Sequence, residues 1–508
     1  MAVIKRLILL ASMVLGPASA ASQGSNVAAA FRAAHEAQVL SELAGFLAIP
    51  NVASDAANIA KNASALGAML AFRGFPATQL VAKGAPPAIT ARWTVPGATR
   101  TLVLYAHYDG QPADPAKWKV TQPWRPLYFT RAVERGGRRA QFPVAGQRAD
   151  SEARIYARGA SDDKGGVMAI LTALDALRVA GKTPTSNVIL FFEGEEEAGS
   201  PHLPEVLHSD SAGLKADAWV FVDGPVHQSG AKEVLFGVRG DMHIDVTTYG
   251  ANRPLHSGHY GNWAPNPAEQ LARLLTTMKD STGRVTIAGW YDDVTPLGQA
   301  ERAANADLAA YDTMVARELG IGRPYAVAPS LAEAIELPSL NINGIASADV
   351  GAQARNVIPT TATVALDVRL VLGNDHDRMF QKLVEHVRRQ GYLVLDRAPT
   401  DSERLAHPLI ATVVQRAGSY DASRTPMDLP LAQSVVQALR ATTPGPVMQL
   451  PTSGGSLPLI YLTDILHVPT LMVPIANYDN NQHAEDENLR IGNFWSGVES
   501  IVAILSMH

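Results

Sequence analysis

Short, continuous apolar runs that end abruptly in acids or histidine set the pattern of this chain. Thr101-Leu-Val-Leu-Tyr-Ala106 runs into His107-Tyr108-Asp109-Gly110, and Asn187-Val-Ile-Leu-Phe-Phe192 into Glu193-Gly194-Glu195-Glu196-Glu197. Ala218-Trp-Val-Phe-Val222 precedes Asp223-Gly224-Pro225, and Thr470-Leu-Met-Val-Pro474 precedes a loop that reaches His483. β-rich runs of this length without alternation predict strands covered on both faces. Between the first two runs, Val167, Ile170, Leu171, Leu174 and Leu177 recur at helical spacing, which predicts a helix from Gly165 to Ala180. Asp162 and Asp163 stand at its start, where carboxylates suit the helix dipole. Strand, helix, strand predicts an α/β layer around a mostly parallel sheet. In such sheets ligands gather beyond the carboxyl ends of the strands. All four runs carry acids or histidine at that end.

The middle of the chain is patterned differently. From Met242 to Tyr249, His243, Asp245 and Thr247 alternate with Ile244 and Val246; from Thr363 to Leu370, Val364, Leu366 and Val368 alternate with Ala365, Asp367 and Arg369. Alternation predicts a sheet with only one face in a core. Helical stretches follow each strand, near Pro267 to Met278 and His376 to Arg389. The reading is a first α/β domain over 21–235, an inserted α+β domain over 236–399, and a return to the first domain over 400–508.

Composition narrows the chemistry. The chain has 508 residues, no cysteine and a formal net charge of -5. That length suits two or three domains. The charge implies no basic surface, so nucleic acid and anionic membranes are poor partners. Without cysteine there are no disulfides, thiolate metal sites or cysteine nucleophiles, and any metal must be held by His, Asp and Glu. Lys5 and Arg6, the apolar run Leu7 to Leu15 and the small residues Ala18-Ser19-Ala20 read as a signal peptide over 1–20. The run is too short for a membrane anchor. The mature protein is therefore expected to be exported, either periplasmic or secreted.

A site for two divalent metals needs five or six oxygen and nitrogen ligands, one of them bridging. It also needs a carboxylate free of metal to move the proton. The candidates are His107, Asp109, Asp162, Glu196, Glu197, Asp223 and His483. Each alone has a plainer reading. His107 could be a loop residue, the acidic triplet a solvated loop, Asp162-Asp163 a helix start and Asp223 a turn. The combination, not any single member, carries the metal reading.

At these residues the chain resembles the di-zinc exopeptidases and amidohydrolases that include carnosine dipeptidase, glutamate carboxypeptidase, aminoacylase and succinyl-diaminopimelate desuccinylase. The motifs are His107-Tyr-Asp-Gly-Gln-Pro112, Gly159-Ala-Ser-Asp-Asp-Lys-Gly165, Glu195-Glu-Glu-Ala-Gly-Ser200, Val222-Asp-Gly224, Leu255-His-Ser-Gly258 and Asn356-Val-Ile-Pro359. The resemblance implies an α/β metallopeptidase domain with an inserted lid that mediates homodimerisation. It implies that Asp162 bridges two divalent ions, zinc above all, with manganese or cobalt as alternatives. His107 and Asp223 would complete one ion, Glu197 and His483 the other. Asp109 would orient His107, Glu196 would act as general base and acid, and Glu195 would be the extra acid. A cis peptide would join Asp162 to Asp163. His256 would stabilise the oxyanion, reaching the partner subunit's site, with His259 as its neighbour. Arg369, Asn356, Gly455 and Ser456 would bind substrate.

The implied activity is hydrolysis, by metal-bound hydroxide, of short peptides with a free carboxylate. The rival is an N-acyl-amino-acid deacylase with the same machinery. A non-catalytic binder would have no use for Glu196. A serine hydrolase lacks its nucleophile elbow, since Leu255-His-Ser-Gly258 has no first glycine.

Overall fold

The computed structural model describes residues 18–508. Residues 1–17 of the expected signal peptide lie outside the described residues. Two sheets organise the rest. The first has eight strands, in spatial order Thr78–Leu80, Ala88–Trp93, Asn187–Glu193, Thr101–His107, Ala218–Phe221, Thr470–Met472, Lys232–Leu235 and Val447–Leu450. Its centre is parallel: Thr101–His107 lies between Asn187–Glu193 and Ala218–Phe221, and Thr470–Met472 continues in the same sense. Antiparallel strands join at either side. All four apolar runs become neighbouring strands, so their polar ends fall on one edge.

Helices cover both faces. Ala18–Leu47, Lys164–Val179, Pro430–Arg440 and Ile491–Leu505 pack into one large core. Leu203–Ser209 and Ile460–Ile465 close the other face. The result is a three-layer α/β architecture. The helix Lys164–Val179 agrees with its predicted span and is capped by Asp163, whose side chain accepts from the Gly166 amide. Gly166 has no room for a side chain, because a Cβ there would strike Asp163 Oδ1 and the Val222 carbonyl. This close approach presses the helix start against the end of the Ala218–Phe221 strand. Among the described residues no helix is long and apolar enough to cross a membrane.

The second sheet centres on the antiparallel pair Gly237–Tyr249 and Thr361–Leu370. The latter alternates strictly between buried and half-buried positions. Its buried side chains meet Leu271, Leu274, Met379 and Leu383 from the helices Pro267–Thr276 and His376–Arg389. Asn341–Ala346 forms one edge. The expected return to the first domain near residue 400 needs correction on one strand. Ile410–Gln415 pairs with Gly237–Tyr249 and with Leu393–Leu395, so it belongs to the second sheet. Its run of apolar residues reads like a first-sheet strand. It serves here to satisfy the free backbone edge of Gly237–Tyr249, which no other strand of that length covers. The chain rejoins the first sheet only at Val447–Leu450.

Candidate metal centre

The polar strand ends converge on a cavity of about 1040 Å³ between the two sheets. His107, the last residue of its strand, is fully buried beside the cavity-lining Asp162 and Asp223. Its Nε2 lies 3.0 Å from Asp162 Oδ1 and 3.8 Å from Asp223 Oδ2. The other Asp162 oxygen lies 3.0 Å from Nε2 of His483, which is 3.3 Å from Glu197 Oε2. One carboxylate therefore spans two imidazoles. Two sets of potential ligand atoms result: His107, Asp162 and Asp223, and Asp162, Glu197 and His483, each set within 4.8 Å of one another. These are the five residues named as ligands from the sequence, in the same grouping. The Asp162–Asp163 peptide is cis.

Hydrogen bonds around Asp109 and Gln111 fix His107 and the acidic loop. Asp109 faces Nδ1 of His107 at 3.3 Å and also accepts from the Glu196 and Glu197 amides at 3.1 and 3.0 Å. It thus ties the histidine strand to the acidic loop. Such outer carboxylates set ring orientation and ligand basicity. Gln111 donates its amide to Glu197 Oε2 at 2.8 Å. Glu195 turns away and accepts from the backbone and ring of His202, which leaves Glu196 and Glu197 on the cavity. Glu196 Oε2 is 3.7 Å from His107 Nε2, and Glu196 belongs to neither ligand set.

The electrostatics ask for cations. Burial works against a charged His107, but Asp109 and Asp162 outweigh it and push its pKa well above the usual value. Burial likewise opposes ionisation of Asp162, yet His107 and His483 hold its carboxyl well below the usual range. Burial, with the Asp162 charge adding to it, pushes Glu197 up to about 8 and Asp223 to about 6. Glu196 is also pushed up, by burial and then by Asp223 and Glu197. Among the described residues no lysine or arginine ion pair reaches these acids. Carboxylates crowded so closely with only imidazoles beside them fit divalent ions, which would ionise all of them at neutral pH.

Sequence reasoning missed Glu487. It is fully buried and accepts from the amides of Gly159, Ser161 and Asp162 and from the Ser161 hydroxyl, while Arg158 Nη1 reaches it at 2.7 Å. It clamps the loop that carries the bridging acid. The signal was present in part: a glycine-rich loop ending in a helix start leaves several amides that need an acceptor. Nothing in the local pattern distinguishes Glu487 from its acidic neighbours Glu485 and Asp486.

The expected substrate residues divide. Arg369, Gly455 and Ser456 line the cavity. Arg369 donates from Nη1 to Ser456 Oγ at 2.8 Å, with Asp367 at 3.1 Å and Asp241 at 3.5 Å. Asp241, His243 and Asp367 also cluster closely enough for a metal, but the Arg369 guanidinium already balances their charge. His256 and Asn356 are not brought to this cavity. The short strands Leu255–His256 and Val357–Ile358 pair with each other, and both residues are exposed. His256 Nδ1 accepts only from the Gly258 amide, and its ring rests 4.6 Å from that of His259. Within one chain the lid carries them outward, so a role at the site requires a second copy.

Comparison with known proteins agrees with this architecture. The profile of peptidase family M20/M25/M40 matches residues 103–507. A Cys-Gly metallodipeptidase of Candida albicans is 26% identical over 486 residues, covering 90% of this chain and 91% of the relative. Human Beta-Ala-His dipeptidase is 24% identical over 433 residues, covering 82% and 76%. An M20 family metallo-carboxypeptidase from Sulfolobus solfataricus superposes with a TM-score of 0.75 at 25% identity, over 92% of this chain and 98% of the other. With two sets of His, Asp and Glu side chains that could each hold a metal ion, this chain belongs to peptidase family M20/M25/M40.

Proposed function

We propose that the protein is an exported, zinc-dependent exopeptidase of the dipeptidase type, acting on short peptides with a free C-terminal carboxylate. The observation that carries the reading is the position of Glu196. It lies 3.7 Å from His107 of one ligand set, adjoins Glu197 of the other in the chain, belongs to neither set, and opens onto the cavity. A protein that only bound its ligand would have no need of such a group. The names of the similar metallodipeptidases and the carboxypeptidase support the same substrate class.

Two divalent ions, when bound, supply polarisation of the scissile carbonyl and acidification of a water. The chain's own residues do the rest. Glu196 Oε2 takes the proton of the attacking water and returns it to the leaving amine. Its raised pKa suits it to hold that proton between the two steps. Asp109 keeps the His107 ring in place. Arg369, steadied by Ser456 and Asp367, receives the free carboxylate of the peptide as a paired contact.

The partner's His256 donates to the developing oxyanion when two copies assemble. The homodimer is supported by the exposure of His256 and Trp263, and by Asn341–Ala346, an edge strand exposed along its whole length with Ile342 and Ile345 outward. An apolar, unpaired edge invites another chain. Export rests on the charged and apolar pattern of residues 1–20.

The test is a panel of dipeptides and N-acyl amino acids, incubated with the zinc-loaded mature protein while released amino acid is measured. Dipeptide cleavage that is lost on chelation and in Glu196→Ala is the expected result. Cleavage of N-acyl compounds alone would move the protein to the deacylases. No cleavage by a metal-replete dimer would overturn the reading.

A further inference from the structure

The cavity that holds the metal ligands is also lined by a carboxyl group that the mechanism does not use. Glu233 lies in the edge-side strand Lys232–Leu235, opposite Met448 of the neighbouring strand, and is 5% exposed. It lines the same cavity as Asp162 and Glu196. Its Oε2 is buried and has no hydrogen-bond partner. Two more cavity-lining residues share this condition. Gln228 Oε1 is a buried acceptor without a donor, and Asn305 Nδ2 is a buried donor without an acceptor, on a residue only 2% exposed.

Leaving such a group unsatisfied is costly. An unpartnered acid and an unpartnered amide oxygen on one cavity lining both call for a donor that a ligand can bring. The charged surroundings agree. Lys232 points the other way, to Glu499 and Thr442. Asp312, on the facing lid helix, is occupied by the Leu331 amide. His227 packs edge-on against Tyr311, and burial lowers its pKa, which keeps it neutral. Burial alone pushes Glu233 up to about 8. Among the described residues no cation offsets that penalty, so a bound one would.

We infer that Glu233, with Gln228 on the same cavity lining, forms a specificity subsite for an ammonium group of the peptide substrate. Glu233 and Gln228 supply the acceptors that an ammonium group needs. An ammonium group entering the site draws Glu233 into its ionised form, and the resulting buried pair is satisfied by hydrogen bonds on both sides. The ammonium can come from a lysine side chain or from the peptide's amino terminus. The inference rests on the peptidase reading for its substrate, but not on the metal chemistry.

The experiment uses the zinc-loaded protein and dipeptides carrying lysine or norleucine at either position, each with a free or acetylated amino terminus. The expected result is a preference in kcat/KM of at least tenfold for one cationic group, reduced to near unity in Glu233→Gln. Lysine over norleucine identifies the side chain as its source; free over acetylated identifies the terminus. Calorimetric binding of the same peptides gives a readout independent of turnover, and Gln228→Ala, which removes the second acceptor, is expected to weaken the same preference. If nothing is cleaved but the cationic peptides bind more weakly to Glu233→Gln, the peptidase reading fails and the subsite stands. Indifference to both cationic groups, or a preference unchanged in Glu233→Gln, overturns the subsite.

Discussion

Two histidines separate the edge of the first sheet from the outer part of the second. His107 is fully buried and meets Asp109 and Asp162 within 3.3 Å. His256 is exposed and bonded only to the next turn of its own chain. The difference follows from what each element can fix. A strand buried on both faces holds its terminal side chain rigidly, and a second ring of carboxylates locks it further. A two-residue strand on a lid can only offer its histidine to whatever docks there. The first region is built to hold ions before substrate arrives; the second, in the proposed homodimer, is completed by assembly.

Removing the metal would break the comparison most sharply. Chelation is expected to abolish turnover and lower the melting temperature, because bound ions stabilise only the folded state. Zinc should restore both. Asp162→Asn, which withdraws the acid shared by both ligand sets, should reproduce the chelated state and resist rescue. A chelated protein with full activity would remove the ions from the reaction altogether.

Glu196→Gln comes next. It should lower kcat by about 10²–10⁴-fold, the usual contribution of a positioned general base. Metal content should be unchanged, since Glu196 belongs to neither ligand set. If metal were lost with activity, Glu196 would be a ligand and the base would have to be sought elsewhere.

The lid is tested by mixing. His256→Ala should cost about 10²–10³-fold if it removes an oxyanion donor. Unfolding and refolding it with Glu196→Gln should then recover about a quarter of parental activity. Half of the random dimers are mixed, and each mixed dimer of a two-fold assembly carries one intact site. Mixing that restores nothing would return His256 to a surface role.

The sequence was informative where the structure is rigid. The four strand ends could be read because apolar runs stop at His107, Glu193, Val222 and Pro474, and a parallel sheet gathers such stops on one edge. The alternating pair of the second sheet was equally plain. The strand Ile410–Gln415 was not, because a short apolar run carries no mark of which sheet it will complete. Glu487 stayed hidden among neighbouring acids, because its meaning lies in amides more than three hundred residues earlier in the chain. Glu233 follows Lys232 on an unexceptional strand, where the pair reads as ordinary surface charge, and only burial without a partner makes it notable.

Glu233 also gives the smallest test, and one that divides the first sheet's own edge. The metal-ligand acids have imidazoles beside them; Glu233 has no such partner. Its folded pKa, about 8, exceeds the ordinary glutamate value. Stability is therefore fully present below the unfolded value and is lost as pH rises through about 8. Each unit of that displacement corresponds to about 1.4 kcal/mol, so the penalty at pH 9 is of order a few kcal/mol. Glutamine cannot ionise and escapes it. Glu233→Gln should match the parent near pH 4 and melt above it at pH 9 when no peptide is present. A saturating cationic peptide should narrow or reverse the gap, since it stabilises the parent's ionised carboxylate and not the amide. Equal melting at every pH would mean that water or local opening already relieves Glu233 in solution, and its burial would then carry no information about a ligand.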